Sequence, residues 1–242
     1  MEHNIIQDWF RSRGVIPPES TVNKLEDYAR FILEAGARFN ITGFNTLESI
    51  IINLVLGSID PIITLRVSRG TRFADIGSGA GIPGIPICII VPEFFGTFIE
   101  SNRKKSDFIS DVADRLGLDN VSVVNKRAED ALSGSCLREV FPYCFSRACS
   151  PLYSSLELCI PFLCPGGLFY FYSHPLPRPL PEGIISHAYR LGASPVNPSD
   201  FLSHGFSGPG ALFVKIEHTD SRFPRRFSVI KRESEKHSLS ED

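Results

Sequence analysis

The spacing of apolar and polar positions divides this chain into a helical first part and an alternating second part. Over residues 21–38, apolar side chains recur at spacings of three, four and seven, which predicts an amphipathic helix. The same criterion predicts a short helix over residues 4–13 and a longer one over residues 46–65, with a break at Pro61. We therefore expect a helical N-terminal extension over residues 1–70.

From residue 71 onward, short apolar runs typical of strands alternate with segments of helical periodicity. The predicted strands cover residues 71–76, 96–100, 121–124, 142–146, 168–172 and 211–217. The predicted helices cover residues 84–91, 103–116, 152–163 and 182–191. This alternation predicts an α/β domain over residues 71–218, with a parallel sheet covered by helices on both faces. Residues 219–242 are polar and charged, and we expect them to form a basic C-terminal tail.

Composition narrows the function classes. The net charge of −2 does not indicate a general nucleic-acid binder, so any RNA contact must come from local basic patches. No apolar run is long enough to span a bilayer, and no secretory leader is evident, so we expect a cytoplasmic protein without a membrane partner. The six cysteines form no C-x-x-C pair, which argues against a zinc site, and we predict no metal.

The segment between the first predicted strand and its helix carries an acidic residue and several glycines. Glycine permits positive φ and close approach of a ligand, and a strand–turn–helix unit directs backbone N–H groups into the turn. From Gly79 onward the glycines fit the dinucleotide pattern G-x-G-x-x-G. From Asp75 onward the segment fits D-x-G-x-G-x-G, the pattern of S-adenosylmethionine (SAM) methyltransferases. Asp75 suits a cationic ligand better than a pyrophosphate, which favours SAM over a dinucleotide or a turn without a ligand.

Later strand ends supply further candidates. Glu100 follows the second strand, about 20 residues after the glycine turn, where a carboxylate accepts both hydroxyls of a ribose. Both NAD and SAM carry a ribose, so Glu100 does not separate them. Ala128 and Glu129 follow the third strand and are expected along an adenine, and Arg147 follows the fourth, at the mouth of the same crevice.

Taken in order, these segments resemble the RsmG (GidB) family, bacterial methyltransferases that modify guanine N7 in 16S ribosomal RNA. The most specific matches are the G-x-G-x-G-I-P-G-I-P run and the Ser-Arg-Ala tripeptide around Arg147. Other matches are Asn40-Ile41-Thr42, Glu100-Ser101 with Arg103-Lys104-Lys105, Leu116-Gly117-Leu118, Arg127-Ala128-Glu129, Pro165-Gly166-Gly167 and Phe223-Pro224-Arg225-Arg226. The resemblance covers about residues 4–232.

The resemblance implies a Rossmann-like class I SAM-dependent methyltransferase sheet with a helical N-terminal extension. Its implied substrate is a guanosine in the 530 loop of 16S rRNA within the small ribosomal subunit, modified by a monomer. The implied cofactor-binding residues are Asp75, Gly77, Gly79, Gly81, Ile82, Glu100, Ser101, Ala128, Glu129 and Arg147. The implied RNA-binding residues are Arg103, Lys104, Arg225 and Arg226.

The expected chemistry needs few catalytic groups. Guanine N7 carries a free lone pair in the neutral base, so its attack on a sulfonium methyl requires no general base. The sequence accordingly offers no convincing His–carboxylate dyad. Catalysis then rests on positioning N7 in line with the methyl group. Arg147 is our candidate catalytic residue, because it can orient the base or contact a phosphate.

The chain departs from the family pattern at several positions. Asn53 and Gly57 stand where the family commonly has a His and an acidic residue, and Ser173 and His174 stand where it often has Lys-Gly. Glu100 replaces the Asp that the family prefers. These changes leave two alternatives open: a SAM-dependent methyltransferase with another substrate, and a catalytically weakened member that binds ribosomal RNA.

Overall fold

The computed structural model describes residues 2–64, 70–147, 149–173, 179–196 and 210–238. The N-terminal part is helical, as the periodicity predicts. Its elements are α1 (Glu2–Arg11), α2 (Glu19–Gly36), α3 (Leu47–Ile50), a π-helical stretch (Ile51–Leu56) and α4 (Gly57–Thr64). The predicted break at Pro61 is wrong, since α4 continues through this residue. Proline keeps a helical φ, so it costs the helix one backbone hydrogen bond without ending it.

The remainder of the described chain alternates strands and helices. The strands are β1 (Arg72–Ile76), β2 (Phe95–Ile99), β3 (Val121–Val124), β4 (Phe141–Arg147), β5 (Leu163–Tyr172), β6 (Ala193–Val196) and β7 (Gly210–Lys215). The helices are α5 (Gly84–Ile90), α6 (Arg103–Leu116), α7 (Ala128–Leu132), α8 (Leu152–Cys159), a 3₁₀ turn (Ile160–Phe162), α9 (Glu182–Arg190) and α10 (Phe227–Ser238).

All seven strands form one sheet in the order β3-β2-β1-β4-β5-β7-β6. Strands β1 to β5 pair in parallel, with Ile76 beside Ile99 and Ile99 beside Val124. The prediction of a parallel sheet is wrong for its last part, because β7 runs antiparallel to β5 and to β6. Strand β6 was not predicted; it is an edge strand that contains Pro195, as edge strands tolerate.

Two apolar layers cover the sheet, one on each face. Phe73 and Phe98 point to the layer that contains α1, α2 and the π-helical stretch. Ala74 and Ile99, their neighbours in sequence, point to the layer that contains α8, α9 and α10. This alternation follows from the pleat of the strands. Among the described residues, no helix is long and apolar enough to cross a membrane.

Three local differences from the sequence-based expectation concern the second half. Residues 128–132, where no helix is predicted, form the single-turn helix α7. Pro165-Gly166-Gly167 follows the predicted helix over residues 152–163 but lies within β5, where the pairing with β4 shifts between Phe141 and Tyr143. Within the expected tail, α10 spans Phe227–Ser238, and its Ile230 is fully buried in the second apolar layer.

Candidate functional site

A cavity of about 860 Å³ opens at the carboxyl ends of the central strands. The turn between β1 and α5 forms one wall, and the segment 41–44 with the π-helical stretch forms another. The ends of β4 and β5 contribute Arg147, Tyr170, Tyr172 and Ser173. Ligands of such sheets bind at this edge, next to the point where the strand order reverses, which here lies between β1 and β4.

The glycine turn is close-packed against Cys149 at Gly77 and open toward the cavity at Gly79. Gly77 has φ +70°, and a Cβ built on it would lie 2.4 Å from the Cβ of Cys149. Gly79 has φ +57°, but a Cβ there would meet only the oxygen of Gly77 at 3.9 Å. Only glycine therefore fits at position 77, while position 79 leaves its backbone open toward the cavity.

Asp75 lies beneath this turn and does not line the cavity. Its side chain is fully buried, and its Oδ2 accepts a 2.9 Å hydrogen bond from the backbone N–H of Gly84 at the start of α5. Burial raises the pKa of Asp75 to about 8, against the lowering effect of that hydrogen bond. The expected direct contact between Asp75 and a cationic ligand is therefore not what the geometry provides. Gly81 lies equally deep, against Ile85.

Glu100 lines the cavity, as its position after β2 predicts. Its Oε2 accepts a hydrogen bond from the backbone N–H of Gly79 at 2.9 Å, and its Oε1 accepts one from Asn102 at 2.7 Å. Asn125, which the sequence analysis missed, donates through Nδ2 to the carbonyl oxygens of Glu100 and Ser101. The carboxylate is thus fixed in direction and keeps a second lone pair on each oxygen.

Arg147 ends β4 and reaches back to the helical extension. Its Nη2 donates to the carbonyl oxygen of Asn53 at 2.5 Å, and its Nη1 lies 3.4 Å from Oγ of Ser58. Gly57 faces the guanidinium, and a Cβ at that position would lie 3.5 Å from Nη1. Burial lowers the pKa of Arg147. Within the described ranges no carboxylate pairs with Arg147, so its positive charge faces the cavity without a neutralising partner.

Comparisons with known proteins show which family the chain belongs to. Residues 21–175, more than half of the chain, match the GidB family, described as rRNA small subunit methyltransferase G. The chain belongs to the GidB family. "Ribosomal RNA small subunit methyltransferase G" of Mycoplasma capricolum is 30% identical over 213 residues, which cover 88% of this chain and 90% of that protein. The protein of the same name from Pelotomaculum thermopropionicum is 30% identical over 228 residues, 93% of this chain and 95% of its own.

Solved structures support the fold. The [4+2]-cyclase SpnF superposes with a TM-score of 0.51 at 15% identity, covering 75% of this chain and 74% of SpnF. M. jannaschii TYW2 in complex with AdoMet superposes with a TM-score of 0.50 at 16% identity, covering 66% of this chain and 77% of TYW2. The Rossmann-like class I methyltransferase fold with a helical N-terminus is thereby confirmed for this GidB member.

Some implied cofactor residues of the GidB pattern meet in the cavity and some do not. Gly77, Gly79, Ile82, Glu100, Ser101 and Arg147 line it. Ala128 and Glu129 lie outside its lining, at the start of α7. Glu129 instead accepts a 3.3 Å hydrogen bond at Oε1 from the backbone N–H of Phe227. This hydrogen bond joins the start of α7 to the start of α10.

The implied RNA-binding residues separate into two groups. Arg103 and Lys104 are exposed at the start of α6, next to the cavity-lining Lys105, and Arg226 is exposed before α10. Arg103 has only a 3.7 Å contact with Asp107. These cations are accessible to phosphates.

Arg225 has another role. Its guanidinium donates to Glu157 at 2.8 and 2.6 Å and to Glu233 at 2.7 and 2.8 Å. We call these three residues the Arg225 clamp. Glu157 is fully buried, and the hydrogen bonds from Arg225 lower the pKa of Glu233 to about 2. The side chain of Arg225 thus joins α8 to α10, and its expected phosphate contact stays a prediction.

The positions where the chain departs from the family pattern lie mostly at the site. Asn53, Gly57 and Ser173 line the cavity, and the first two surround Arg147. His174 lies outside the described residues. Sequence reasoning missed Cys149, Tyr170 and Tyr172, which line the cavity but belong to no local motif. In the part of the chain that the structure describes, no group of three or more His, Cys, Asp or Glu side chains is placed to hold a metal ion.

Proposed function

We propose that this protein transfers a methyl group from SAM to guanine N7 of a guanosine in the 530 loop of 16S rRNA. One observation carries the proposal: the glycine turn, the fixed carboxylate of Glu100 and the un-neutralised Arg147 share one cavity in a GidB-family chain. The first two features suit a nucleoside cofactor, and the third suits an anionic or carbonyl oxygen of the acceptor.

The residues present fit SAM. Gly79 leaves room for a ligand next to the turn, and Glu100 keeps lone pairs for two ribose hydroxyls. Gly77, Ile82 and Ser101 complete this side of the cavity. Bound SAM supplies the electrophilic methyl group. We infer that the contribution of Asp75 is indirect, through its hold on the N-terminus of α5.

The chain's own contribution to catalysis is positioning. Guanine N7 is already nucleophilic, so no side chain has to remove a proton before transfer. Arg147 retains donors beyond those used on Asn53 and Ser58, and these can hold an oxygen of the acceptor nucleotide. Such positioning contributes up to several kcal/mol to rate enhancement. The positive charge also raises the affinity of the cavity for an RNA strand.

We further propose that exposed Arg103, Lys104 and Arg226 contact phosphates of the small-subunit RNA, and that the protein acts as a cytoplasmic monomer. In this proposal residues 71–218 form the methyltransferase domain, and residues 1–70 complete its substrate side. The support is that the segment 41–44 and the π-helical stretch line the same cavity as the glycine turn.

The test is transfer of labelled methyl from SAM to 30S subunits taken from cells that lack this modification, followed by mapping of the labelled base. Label at guanine N7 in the 530 loop supports the proposal. Arg147→Ala should abolish the label, while Arg72→Ala should not, because Arg72 lies at the far end of β1. No label with SAM binding intact by calorimetry would move the function to another substrate or to RNA binding without turnover.

A further inference from the structure

Phe44 is an aromatic side chain held at the mouth of the cavity. It is 38% exposed and lines the cavity together with Ile41, Thr42 and Ile52. Across the described part of the chain, seven large apolar side chains are exposed. Two of them, Phe44 and Ile52, border this one cavity, and the other five do not. Exposed apolar side chains that border a cavity indicate a binding surface.

The backbone around Phe44 fixes its position. The backbone N–H of Phe44 donates to Oγ1 of Thr42 at 3.2 Å, closing a small turn. On one side Ile41 is buried in the core, and on the other Thr46 caps α3 by accepting a hydrogen bond from the N–H of Ser49 at 3.2 Å. The turn is therefore anchored at both ends. Among the described residues no aromatic pair includes Phe44, and its partly exposed ring borders the cavity, where a ligand can reach it.

The surroundings indicate what the ring binds. The cavity offers apolar contact from Phe44 and Ile52, and a cation with free donors from Arg147. A nucleobase has this chemistry, with an apolar face and a polar edge. Aromatic side chains bind unpaired bases by stacking, because every base has a π-face. A base that undergoes methylation must leave its helical stack to reach such a cavity.

We propose that Phe44 is a stacking platform for the purine base of the acceptor nucleotide. This inference rests on the proposed function, and it assigns substrate binding to a residue that precedes the first strand in the sequence. Stacking on Phe44 holds the base by its face, which leaves the ring edge, including N7, free for the methyl group. Ile52, which is 46% exposed, extends the apolar contact.

The first experiment compares Phe44→Ala with Phe95→Ala. Phe95 is 49% exposed but begins β2, at the opposite end of the strand from the cavity. Phe44→Ala should raise the KM for 30S subunits by about 5- to 100-fold, as expected for loss of one stacked base. Phe44→Tyr should restore the wild-type value, and Phe95→Ala should not change it. SAM affinity by calorimetry should stay the same in all variants.

Two outcomes would overturn the proposal. Equal KM values for Phe44→Ala and wild type would show that the ring does not contact the acceptor. A loss of SAM affinity in Phe44→Ala that Phe44→Tyr restores would assign the ring to the cofactor adenine.

A second measurement does not depend on methyl transfer. The chain has one tryptophan, Trp9, so Phe44→Trp introduces a single new reporter. In the presence of S-adenosylhomocysteine, guanosine monophosphate should quench the fluorescence of Phe44→Trp, whereas ribose phosphate should not. Wild-type Trp9 emission serves as the control. Quenching without methylation of 30S subunits would contradict the proposed acceptor yet support Phe44, while methylation without quenching would contradict only Phe44.

Discussion

The hydroxyl of Tyr28 in α2 donates a 2.8 Å hydrogen bond to the carbonyl oxygen of Ala80 in the glycine turn. Tyr28 is fully buried, so the bond is shielded from water. It joins the helical extension directly to the loop that forms one wall of the cavity. The helical extension therefore supports the cavity wall, and we expect loss of this hydrogen bond to weaken cofactor binding.

Tyr28→Phe should therefore destabilise the protein and weaken SAM binding. The substitution keeps the ring but leaves the carbonyl of Ala80 without this donor, a loss of about 1–3 kcal/mol in a buried site. Urea denaturation and calorimetry with SAM measure the two effects. Tyr143→Phe is the matched control, because among the described residues its hydroxyl makes no hydrogen bond. Equal stability of both variants would contradict the expectation.

Gly77→Ala should lower the free energy of unfolding more than an ordinary glycine substitution does. Its φ of +70° is unfavourable for alanine, and the new Cβ would lie 2.4 Å from the Cβ of Cys149. Gly70→Ala separates the two effects, because Gly70 has φ +71° with nothing within 4 Å of its would-be Cβ. The free energy of unfolding should fall by about 1–3 kcal/mol more in Gly77→Ala than in Gly70→Ala. Indistinguishable values would mean that the turn moves away from Cys149 freely.

Gly57→Asp restores the acidic residue that the family commonly has here and places a carboxylate beside Arg147. The site accepts a side chain without strain, since the Cβ would lie 3.5 Å from Nη1 of Arg147. We therefore expect Gly57→Asp to retain methylation of 30S subunits, because a charge-assisted hydrogen bond fixes the guanidinium while other donors stay free. Gly57→Asn has the same shape without the charge and serves as the control. Loss of activity in Gly57→Asp but not in Gly57→Asn would contradict this expectation.

Arg225→Ala and Arg226→Ala should give opposite phenotypes. The first removes the cation of the Arg225 clamp and leaves the buried Glu157 with only the backbone N–H of residue 225 and the His187 ring at 3.6 Å, a loss of about 3–5 kcal/mol in the free energy of unfolding. The second should leave stability unchanged and reduce the salt dependence of RNA binding by about one ion. Denaturation and binding at several salt concentrations distinguish them. Reduced salt dependence in Arg225→Ala would support its phosphate contact.

Asp75→Asn should flatten the pH dependence of stability. Burial raises the pKa of Asp75 from 3.8 to about 8, so between these values the folded state holds a proton that the unfolded state has lost. This group therefore makes the free energy of unfolding fall as pH rises from about 4 to about 8. Asparagine still accepts the N–H of Gly84 but does not titrate. An unchanged slope in denaturation experiments across this range would show that Asp75 is ionised in the folded protein.

The sequence predicted helices and strands well where capping and turn residues mark their ends. The expected helix over residues 103–116 matches α6, since Asn102 caps its start through the N–H of Lys105 and Gly117 ends it with φ +60°. Glu100 was likewise placed correctly, because parallel strands end at one edge of a sheet.

Local sequence patterns could not predict the contacts between side chains that are far apart in the chain. Arg147 meets Asn53 across 94 residues, and Arg225 meets Glu157 across 68. Neither spacing has a period or a motif, so the sequence could not show that one arginine faces a cavity and the other is enclosed. The direction of β7 was also hidden, because this antiparallel strand is buried along most of its length and has the continuous apolar run that is typical of a parallel strand.

The Arg225 clamp changes how a shortened gene product would behave. A stop codon shortly before position 225 would spare every cavity-lining residue, yet it would strip Glu157 of its cation and uncover the apolar layer beneath α10. Cells clear proteins that lose this much stability. Such alleles would thus present as low protein abundance rather than as an intact enzyme with poor turnover.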